Sequence, residues 1–426
     1  MAFGRRGLAR VAVLALAAGV ALAQRPGDEA WKKTVRDALA ADAAGFPGYE
    51  AKLAAAPPLS KADAKAWVDF VRKEIAGSAG PRLEAKGTSY FYDRDDRAKR
   101  RGKYIVSGAE NTKGLVFGLH GGGEGSADCG PAASAFRGCI GAAGMIGIYP
   151  EAVEATEAAW GDDVTVAFML DLLAAARRTF RFDPERVYVV GHSMGGYGAW
   201  TWGGRFSDRL AGCASFAGSP TPIFEDGDRS KPVVAIQPGV LPNFRNVPLW
   251  VYHSQDDRQV PWPSTKFATD ALKVLAAENP GAYALVYEEV ENRGHAFPAK
   301  GPGPAMEWLA KRARVSRPAR VAWEAFYERP DASYWLWWER PRRGARIDGE
   351  IRATPTGAAI AVTGDAEAVD VAALLDDALC DLDKPVTLTV GGRKTFEGVP
   401  RRTLLEIVRS ARRRNDPGLL YTARVP

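Results

Sequence analysis

Histidine and cysteine are both scarce in this chain of 426 residues, which has four of each. The cysteines form no C-x-x-C pair, which argues against a zinc or dithiol redox motif. No metal-finger spacing, basic heptad region, RNA-binding signature, internal repeat or low-complexity tract is present either. We therefore expect no metal, no cofactor and no nucleic-acid partner. Cys129 and Cys139 are close enough in sequence for a disulfide to be considered, and Cys213 is expected to be buried.

Long apolar runs are also few, and the one that stands out lies at the N-terminus. Residues 11–22 are rich in Ala, Val and Leu and follow Arg5, Arg6 and Arg10, and Ala21 and Ala23 supply the small residues that a signal peptidase needs. This pattern predicts a signal peptide over 1–23, since the run is too short to span a bilayer stably. We expect a secreted or periplasmic protein, with an uncleaved anchor as the alternative. Without the three arginines the formal charge falls from +6 to +3.

The remaining chain divides into three units by the periodicity of its apolar residues. Residues 24–85 predict a small helical segment. Residues 86–316 alternate continuous apolar strands with helices, which predicts an α/β domain with a doubly wound, mostly parallel sheet covered on both faces. Residues 317–426 predict a β-rich domain that ends in a helix. With 46% hydrophobic and 25% charged residues, the composition is that of a folded globular protein.

Two features mark the C-terminal unit. Residues 335–338 read Trp-Leu-Trp-Trp in one predicted strand, and such a stripe is more often core or domain interface than a platform for sugars. A basic cluster comprises Arg409 and the arginines at 412–414. Here a solvated helix end is favoured over a phosphate-binding patch.

One hexapeptide, Gly-His-Ser-Met-Gly-Gly at 191–196, fits the G-x-S-x-G pattern of a nucleophile elbow. A strand is predicted at 187–190 directly before it and a helix directly after it, which is the context that this tight turn needs. A fortuitous glycine-rich turn is the alternative. We expect Ser193 to be the nucleophile and the N–H of Met194 to donate to an oxyanion.

A second glycine-rich loop, His-Gly-Gly-Gly at 120–123, follows the strand predicted at 115–119. Loops of this type supply the other oxyanion donor, because glycine lets the backbone approach the developing charge. Gly122 is the expected donor, with Gly121 and Gly123 as alternatives. A phosphate-binding loop is a poor interpretation, since the Walker A lysine and its Ser/Thr are absent.

The four histidines make the search for a base short. His120 belongs to the glycine loop and His192 to the elbow. Of the two that follow Ser193, only His295 leaves room for an acid in the order serine, acid, histidine. We therefore predict His295 as the base that accepts the serine proton.

The acid is expected after the strand predicted at 249–252, where Asp256 and Asp257 are adjacent. The residues alone leave the choice between them even. Trp160, which follows another strand at the same edge of the sheet, is a candidate for the substrate pocket, and packing beneath a loop is equally favoured.

Residues 86–315 resemble the α/β-hydrolase family of secreted esterases and predicted peptidases that includes feruloyl-esterase-like and polyhydroxybutyrate-depolymerase-like proteins. The matching pieces are 119–123, 184–188 leading into the elbow, and Gly294-His295. The family commonly carries H-G-x-x-D-x-x-V-P around its acid. The segment 253–261 fits this pattern apart from a serine in place of the glycine, and the resemblance therefore implies Asp257 as the acid.

The resulting hypothesis is a secreted serine hydrolase that forms an acyl-enzyme on Ser193. Its expected substrate is a small-molecule or polysaccharide-linked carboxylic ester, and no stable membrane insertion is expected after signal cleavage. A serine peptidase of the same fold is the alternative within this class. A non-catalytic polysaccharide-binding protein that uses the Trp-rich C-terminal unit is the alternative from another class.

Overall fold

The computed structural model describes residues 28–92, 99–108, 112–122, 128–154, 156, 158–365 and 370–426. The predicted signal peptide and Gly123 lie outside the described residues. The α-helices are α1 (Glu29–Ala40), α2 (Phe46–Ala54), α3 (Lys61–Gly77), α4 (Gly130–Ala142), α5 (Asp163–Thr179), α6 (Met194–Arg205), α7 (Trp262–Glu278), α8 (Gly303–Ala310) and α9 (Leu404–Arg414). Within the described ranges, no helix is long and apolar enough to cross a membrane.

An eight-stranded sheet forms the centre of the molecule. Its strands are β1 (Gly87–Tyr92), β2 (Arg100–Ser107), β3 (Leu115–Leu119), β4 (Ile146–Pro150), β5 (Val187–His192), β6 (Gly212–Phe216), β9 (Leu249–Ser254) and β10 (Leu285–Val290), in the order β1-β2-β4-β3-β5-β6-β9-β10. The pairs that involve β2 are antiparallel, and every other pair is parallel. A short hairpin of β7 (Pro222–Phe224) and β8 (Val233–Ile236) stands apart. The predicted α/β class is confirmed.

Burial of the inner strands explains their composition. Every residue of β3, β4 and β6 is buried, and β5 is buried up to its last residue. Helices cover both faces of these strands, so neither face needs polar side chains, and continuous apolar runs result. Because β3, β5, β6 and β9 run parallel, the carboxyl ends of β3, β5 and β9 lie at one edge of the sheet.

The C-terminal unit contains two sheets on a shared hydrophobic core. One consists of β11 (Arg320–Glu324), β14 (Arg346–Thr354), β15 (Gly357–Gly364), β17 (Val386–Val390) and β18 (Arg393–Gly398); the other consists of β12 (Asp331–Ser333), β13 (Leu336–Trp338), β16 (Val371–Leu375) and β19 (Ala423–Val425). Trp335, Trp337 and Trp338 are at most 9% exposed. The aromatic stripe thus belongs to the core, as favoured from the sequence, and offers no platform for sugars.

The N-terminal helices pack against the last helix of the chain. The apolar faces of α1 and α3 pack with α9, so residues near the two ends of the chain share one core, which includes Val35, Trp67, Leu404 and Ile407. Since α9 follows the C-terminal sheets in sequence, this core ties the first described helices to the last unit of the chain.

The basic cluster on α9 is different from the expected solvated helix end. The side chain of Arg414 is 10% exposed and bonds to Asp208 and Asp331. The guanidinium of Arg412 donates to the carbonyl oxygens of Ala38 (2.6 Å) and Ala41 (2.7 Å) at the end of α1. Carbonyl groups at the end of a helix lack partners within the helix, so those of α1 are free to accept from Arg412. Together, Arg412 and Arg414 hold α9 against the other units.

A buried carboxylate makes a further connection between units. Asp416 is fully buried and accepts hydrogen bonds from Arg177 Nη2 (2.5 Å) and from Arg314 Nη1 (2.9 Å) and Nη2 (3.0 Å). Arg177 lies in the last turn of α5, whereas Asp416 follows α9. Burial alone would raise the pKa of Asp416, but the two guanidinium groups hold it well below its ordinary value.

The disulfide considered between Cys129 and Cys139 does not form. Cys129 is the N-cap of α4 and Cys139 lies in its third turn, and both thiols are free. Ten residues of helix rise about 15 Å, which is far beyond the Cα separation of about 7 Å that a disulfide tolerates. Cys213 is buried in β6, as predicted.

Candidate active site

Ser193 occupies the turn between β5 and α6. Its backbone has φ 59° and ψ −123°, a conformation that L-residues rarely adopt. The turn is held by the Ser193 N–H, which donates to the carbonyl oxygen of Phe216 at the end of β6 (2.8 Å). This strained turn lifts the side chain above the edge of the sheet at the N-terminus of α6, whose partial positive charge favours a developing anion.

Close backbone packing explains the two glycines of the elbow pattern. A Cβ atom on Gly191 would lie 2.1 Å from the carbonyl oxygen of Gly195. A Cβ atom on Gly195 would lie 2.2 Å from the carbonyl oxygen of Leu119. Any side chain at either position would displace the backbone, so the sharp turn requires glycine at both.

The glycine loop passes directly beside the nucleophile. A Cβ atom on Gly121 would lie 3.0 Å from Ser193 Cβ, and Gly122, with φ 133°, follows it. His120 fixes this loop: its Nε2 accepts from the Ala152 N–H (3.0 Å), so Nδ1 carries the hydrogen and donates to the carbonyl oxygen of Gly121 (2.9 Å). That carbonyl shares a peptide plane with the Gly122 N–H, and fixing one orients the other.

Trp160 does not line a substrate pocket, which corrects one of the two expectations for it. The side chain is fully buried, with its ring edge-on to His120 at 4.9 Å. Its Nε1 donates to the carbonyl oxygen of His120 (3.2 Å), and its own carbonyl accepts from Trp202 Nε1 (3.1 Å). Trp160 therefore supports the glycine loop from below.

Ser193, His295 and Asp257 form a continuous hydrogen-bonded chain. His295 Nε2 lies 2.7 Å from Ser193 Oγ, and His295 Nδ1 lies 2.7 Å from Asp257 Oδ2. The Asp257 side chain is fully buried, whereas that of His295 is 11% exposed. The structure thus brings together three residues from the ends of β5, β9 and β10 that the sequence separates by up to 102 positions.

The carboxylate of Asp257 is enclosed by donors. In addition to His295, the N–H groups of Gln259 (2.9 Å) and Val260 (3.0 Å) donate to Oδ1. Burial raises the pKa of this carboxyl, but the hydrogen bonds from His295, Val260 and Gln259 outweigh it and leave the pKa below its ordinary value. Asp257 is therefore ionised at neutral pH and can stabilise a charged imidazole.

The neighbouring Asp256 has a different position. Its exposed carboxylate does not reach the His295 ring, and Oδ1 instead accepts from the backbone N–H groups of Arg293 (3.1 Å) and Gly294 (2.9 Å) and from Ser254 Oγ (2.5 Å). The two aspartates thus contact the same loop: one holds the His295 ring, and the other holds the backbone just before it.

His192, assigned to the elbow from the sequence, also supports this loop. Its Nε2 lies 3.2 Å from the carbonyl oxygen of His295, which can only accept, and its ring stacks on Phe297 at 4.4 Å. Burial, with a smaller contribution from the charge of His295, lowers the pKa of His192 to about 4. The ring is neutral at pH 7 and does not compete with His295 for the proton.

Sequence reasoning missed a second histidine at the acid. His253 is fully buried, and its Nε2 lies 3.2 Å from Asp257 Oδ2. Its position four residues before Asp257 was the available signal, but spacing alone does not show in which direction a side chain near the end of a strand points.

Among the described residues, no group of three His, Cys, Asp or Glu side chains is arranged to hold a metal ion.

Residues 120–249 match the family model described as alpha/beta hydrolase fold. A comparison with curated proteins gives no match. Among the similar solved structures, a thermostable esterase has 21% identity and a TM-score of 0.37, with 53% of this chain and 63% of that chain covered. An acetyl xylan esterase from Aspergillus awamori has 14% identity and a TM-score of 0.37, with 52% of this chain and 98% of that chain covered. An S-formylglutathione hydrolase from Agrobacterium tumefaciens has 13% identity and a TM-score of 0.38, with 55% of this chain and 98% of that chain covered. This chain spans less than two thirds of the length of the thermostable esterase. Structural similarity at these TM-scores does not indicate a shared activity.

The strand order and the matched segment agree with one another. The parallel strands β3, β5, β6 and β9 lie side by side, and the turn after β5 presents Ser193 at their carboxyl edge. The central part of this chain has the α/β-hydrolase fold.

Proposed function

We propose that this protein is an exported serine hydrolase that cleaves carboxylic esters through an acyl-enzyme on Ser193. The observation that carries the proposal is the chain in which His295 lies 2.7 Å from both Ser193 Oγ and Asp257 Oδ2. A serine hydroxyl is a weak nucleophile until a base removes its proton, and this geometry supplies a base whose second nitrogen is held by an ionised acid. Export rests on the predicted signal peptide.

In the first half of the reaction, Ser193 Oγ attacks the ester carbonyl while His295 Nε2 takes the hydroxyl proton. The carbonyl oxygen becomes an oxyanion, to which the N–H groups of Met194 and Gly122 donate. The C–O bond to the leaving alcohol then breaks, and the alkoxide receives the proton from His295. Asp257 stabilises the charged imidazole while it holds that proton.

In the second half, a water molecule replaces the alcohol. His295 removes a proton from the water, and the resulting hydroxide attacks the acyl carbonyl. Collapse of the second tetrahedral intermediate breaks the bond to Ser193 Oγ, which regains its proton from His295. The products are one carboxylic acid and one alcohol, and the enzyme returns to its starting state.

Ser193→Ala tests the proposal against Ser230→Ala, a control at an exposed loop serine whose hydroxyl donates to Asp228. With p-nitrophenyl acetate, we expect Ser193→Ala to lower kcat by several orders of magnitude, on the order of 10⁶-fold where a triad nucleophile is removed. The control should keep wild-type turnover. A fluorophosphonate probe should label the wild type and the control but not Ser193→Ala. Wild-type turnover by Ser193→Ala would refute the assignment.

A further inference from the structure

We propose that His253 is a positioning residue that holds the Asp257 carboxylate in line with His295. The proposal rests on the proposed hydrolase function, because Asp257 is the triad acid only in that reaction. His253 is the penultimate residue of β9, four residues before Asp257, and is fully buried. It does not touch Ser193 Oγ or the place of the substrate, so its effect must pass through Asp257.

The contacts of His253 enclose the turn that carries the acid. Nε2 lies 3.0 Å from the carbonyl oxygen of Val260 and 3.2 Å from Asp257 Oδ2. The N–H of the same Val260 donates to Asp257 Oδ1. The turn at 257–260 therefore wraps the carboxylate, and His253 holds both its first side chain and its last carbonyl group. Removal of the ring would free the Val260 carbonyl group and leave His295 as the side-chain partner of Asp257 Oδ2.

The orientation of the ring is itself determined by a neighbour. A carbonyl oxygen only accepts, so His253 Nε2 must carry a hydrogen. Burial lowers the pKa of His253, so its ring is neutral and Nδ1 is left as an acceptor. Thr265 Oγ1, on α7, lies 2.7 Å from Nδ1 and 3.3 Å from the carbonyl oxygen of Gly218. Since Nδ1 of this neutral ring can only accept, the single hydroxyl hydrogen goes to Nδ1, the shorter of the two contacts. The Nε2–H is thereby directed at the carbonyl oxygen of Val260, with Asp257 Oδ2 beside it at 3.2 Å.

This arrangement resolves a weakness of the acid's location. Asp257 lies beyond the last paired residue of β9, in a segment of turns, and its backbone is held there by one local bond from its N–H to Ser254 O (3.2 Å). A catalytic acid has to keep its geometry to within about 0.5 Å, which loops achieve only with supporting side chains. His253 sits on the sheet and transfers the rigidity of β9 to the turn.

Two amide substitutions separate positioning from packing. In His253→Gln the side-chain amide nitrogen takes the place of Nε2, so a donor to Val260 next to Asp257 Oδ2 is kept. In His253→Asn the nitrogen takes the place of Nδ1, so only the Thr265 contact is kept. Both variants lose the ring and leave space in the core. A merely structural role predicts equal damage, or greater damage in the larger change of volume, His253→Asn, so kcat alone does not separate the two roles and a readout at the His295–Asp257 hydrogen bond decides between them.

We expect His253→Asn to lower kcat for p-nitrophenyl acetate by about 10- to 100-fold with KM unchanged, as for other residues that orient a reacting group, and His253→Gln to stay within about threefold. Proton NMR supplies a readout that packing would not move: the low-field resonance of the His295 Nδ1 hydrogen. This resonance should persist in the wild type and in His253→Gln and be shifted or lost in His253→Asn.

An unchanged resonance in a folded His253→Asn would overturn the proposal, whatever its kcat. Near-UV circular dichroism shows whether each variant is folded. If neither variant folds, Thr265→Val replaces them, since it removes the donor to Nδ1 without touching the ring. We then expect a shifted resonance and a kcat loss of about 3- to 10-fold, and an unchanged resonance would overturn the proposal. A wild type that hydrolyses no ester but shows the resonance would refute the proposed function alone.

Discussion

The buried carboxylate of Asp416 allows a quantitative test of how the units are joined. Asp416→Asn keeps the size of the side chain and removes its charge. The substitution leaves the guanidinium groups of Arg177 and Arg314 buried, and their side chains are 5% and 0% exposed. Arg314 keeps its contacts with Glu185 (2.7 and 3.1 Å), whereas Arg177 keeps only the carbonyl oxygen of Asn415 (2.5 Å).

The expected loss follows from the bonds that change. Asp416 accepts three hydrogen bonds from guanidinium groups and one from the Gly418 N–H (2.8 Å). Bonds to charged groups contribute about 1.5–3 kcal/mol each, but an amide retains part of them. Breaking a buried ion pair by removing one partner costs about 3–5 kcal/mol. We therefore expect a loss of about 4 kcal/mol in the free energy of unfolding.

Asp270→Asn is the matched control. Asp270 also has two basic partners, Lys266 and Lys273, but its side chain is 45% exposed. Exposed ion pairs are screened by water, so this variant should lose less than about 1 kcal/mol. Guanidinium chloride unfolding followed by tryptophan fluorescence measures both variants.

The pH dependence supplies a second check on the same variant. Because the folded-state pKa of Asp416 is depressed, its contribution is fully present above the unfolded-state value of about 3.9 and is lost as the pH falls below it. The difference in stability between wild type and Asp416→Asn should therefore be constant near pH 7 and shrink below pH 4. A loss no larger than that of Asp270→Asn at pH 7 would refute the role of burial in this reasoning.

Two further predictions concern the site and the architecture. Asp257→Asn should lower kcat by about 10⁴-fold, because an amide cannot stabilise the charged imidazole. Asp256→Asn keeps an oxygen that accepts from the N–H groups of Arg293 and Gly294, and it should lower kcat by less than about tenfold. Steady-state kinetics on the two purified variants measures both losses, and a larger loss in Asp256→Asn would reverse the assignment. Residues 317–426 expressed alone should not unfold cooperatively, because α9 would expose Leu404, Ile407 and Val408 to water. Each exposed side chain costs about 1.5–3 kcal/mol in the free energy of unfolding. A cooperative calorimetric transition for this fragment would contradict the shared core.

Much of the central sheet was predictable because each buried strand is a local pattern. The runs 115–119 and 187–190 are apolar without interruption, and they are buried on both faces in the structure. The hydrogen-bonded chain of Ser193, His295 and Asp257 was partly predictable for a different reason. With four histidines in the chain, elimination alone left His295, which lies beside Ser193 in the structure.

The choice between the aspartates could not be made from the residues alone, because both follow the end of β9 and both contact the loop that carries His295. Only the direction of the side chains distinguishes them: Asp257 points inward to the ring, and Asp256 points outward to the backbone of Gly294. Spacing fixes the position of a residue along the chain, but beyond the last strand pair it does not fix where the side chain points.

The same reasoning explains why the arginines of α9 were misjudged. A cluster of like charges is normally solvated, and the positions of its partners, such as Asp208 and Asp331, depend on how distant units dock. Burying such pairs costs several kcal/mol per ion in lost hydration, so the attraction between partners returns little net stability compared with an apolar contact. A buried charge is satisfied only when its partner is in place, however, whereas apolar surfaces tolerate shifts. We infer that the arginines act chiefly to select one arrangement of the units. Because their partners lie far away in the sequence, this role produces no periodic pattern from which it could be predicted.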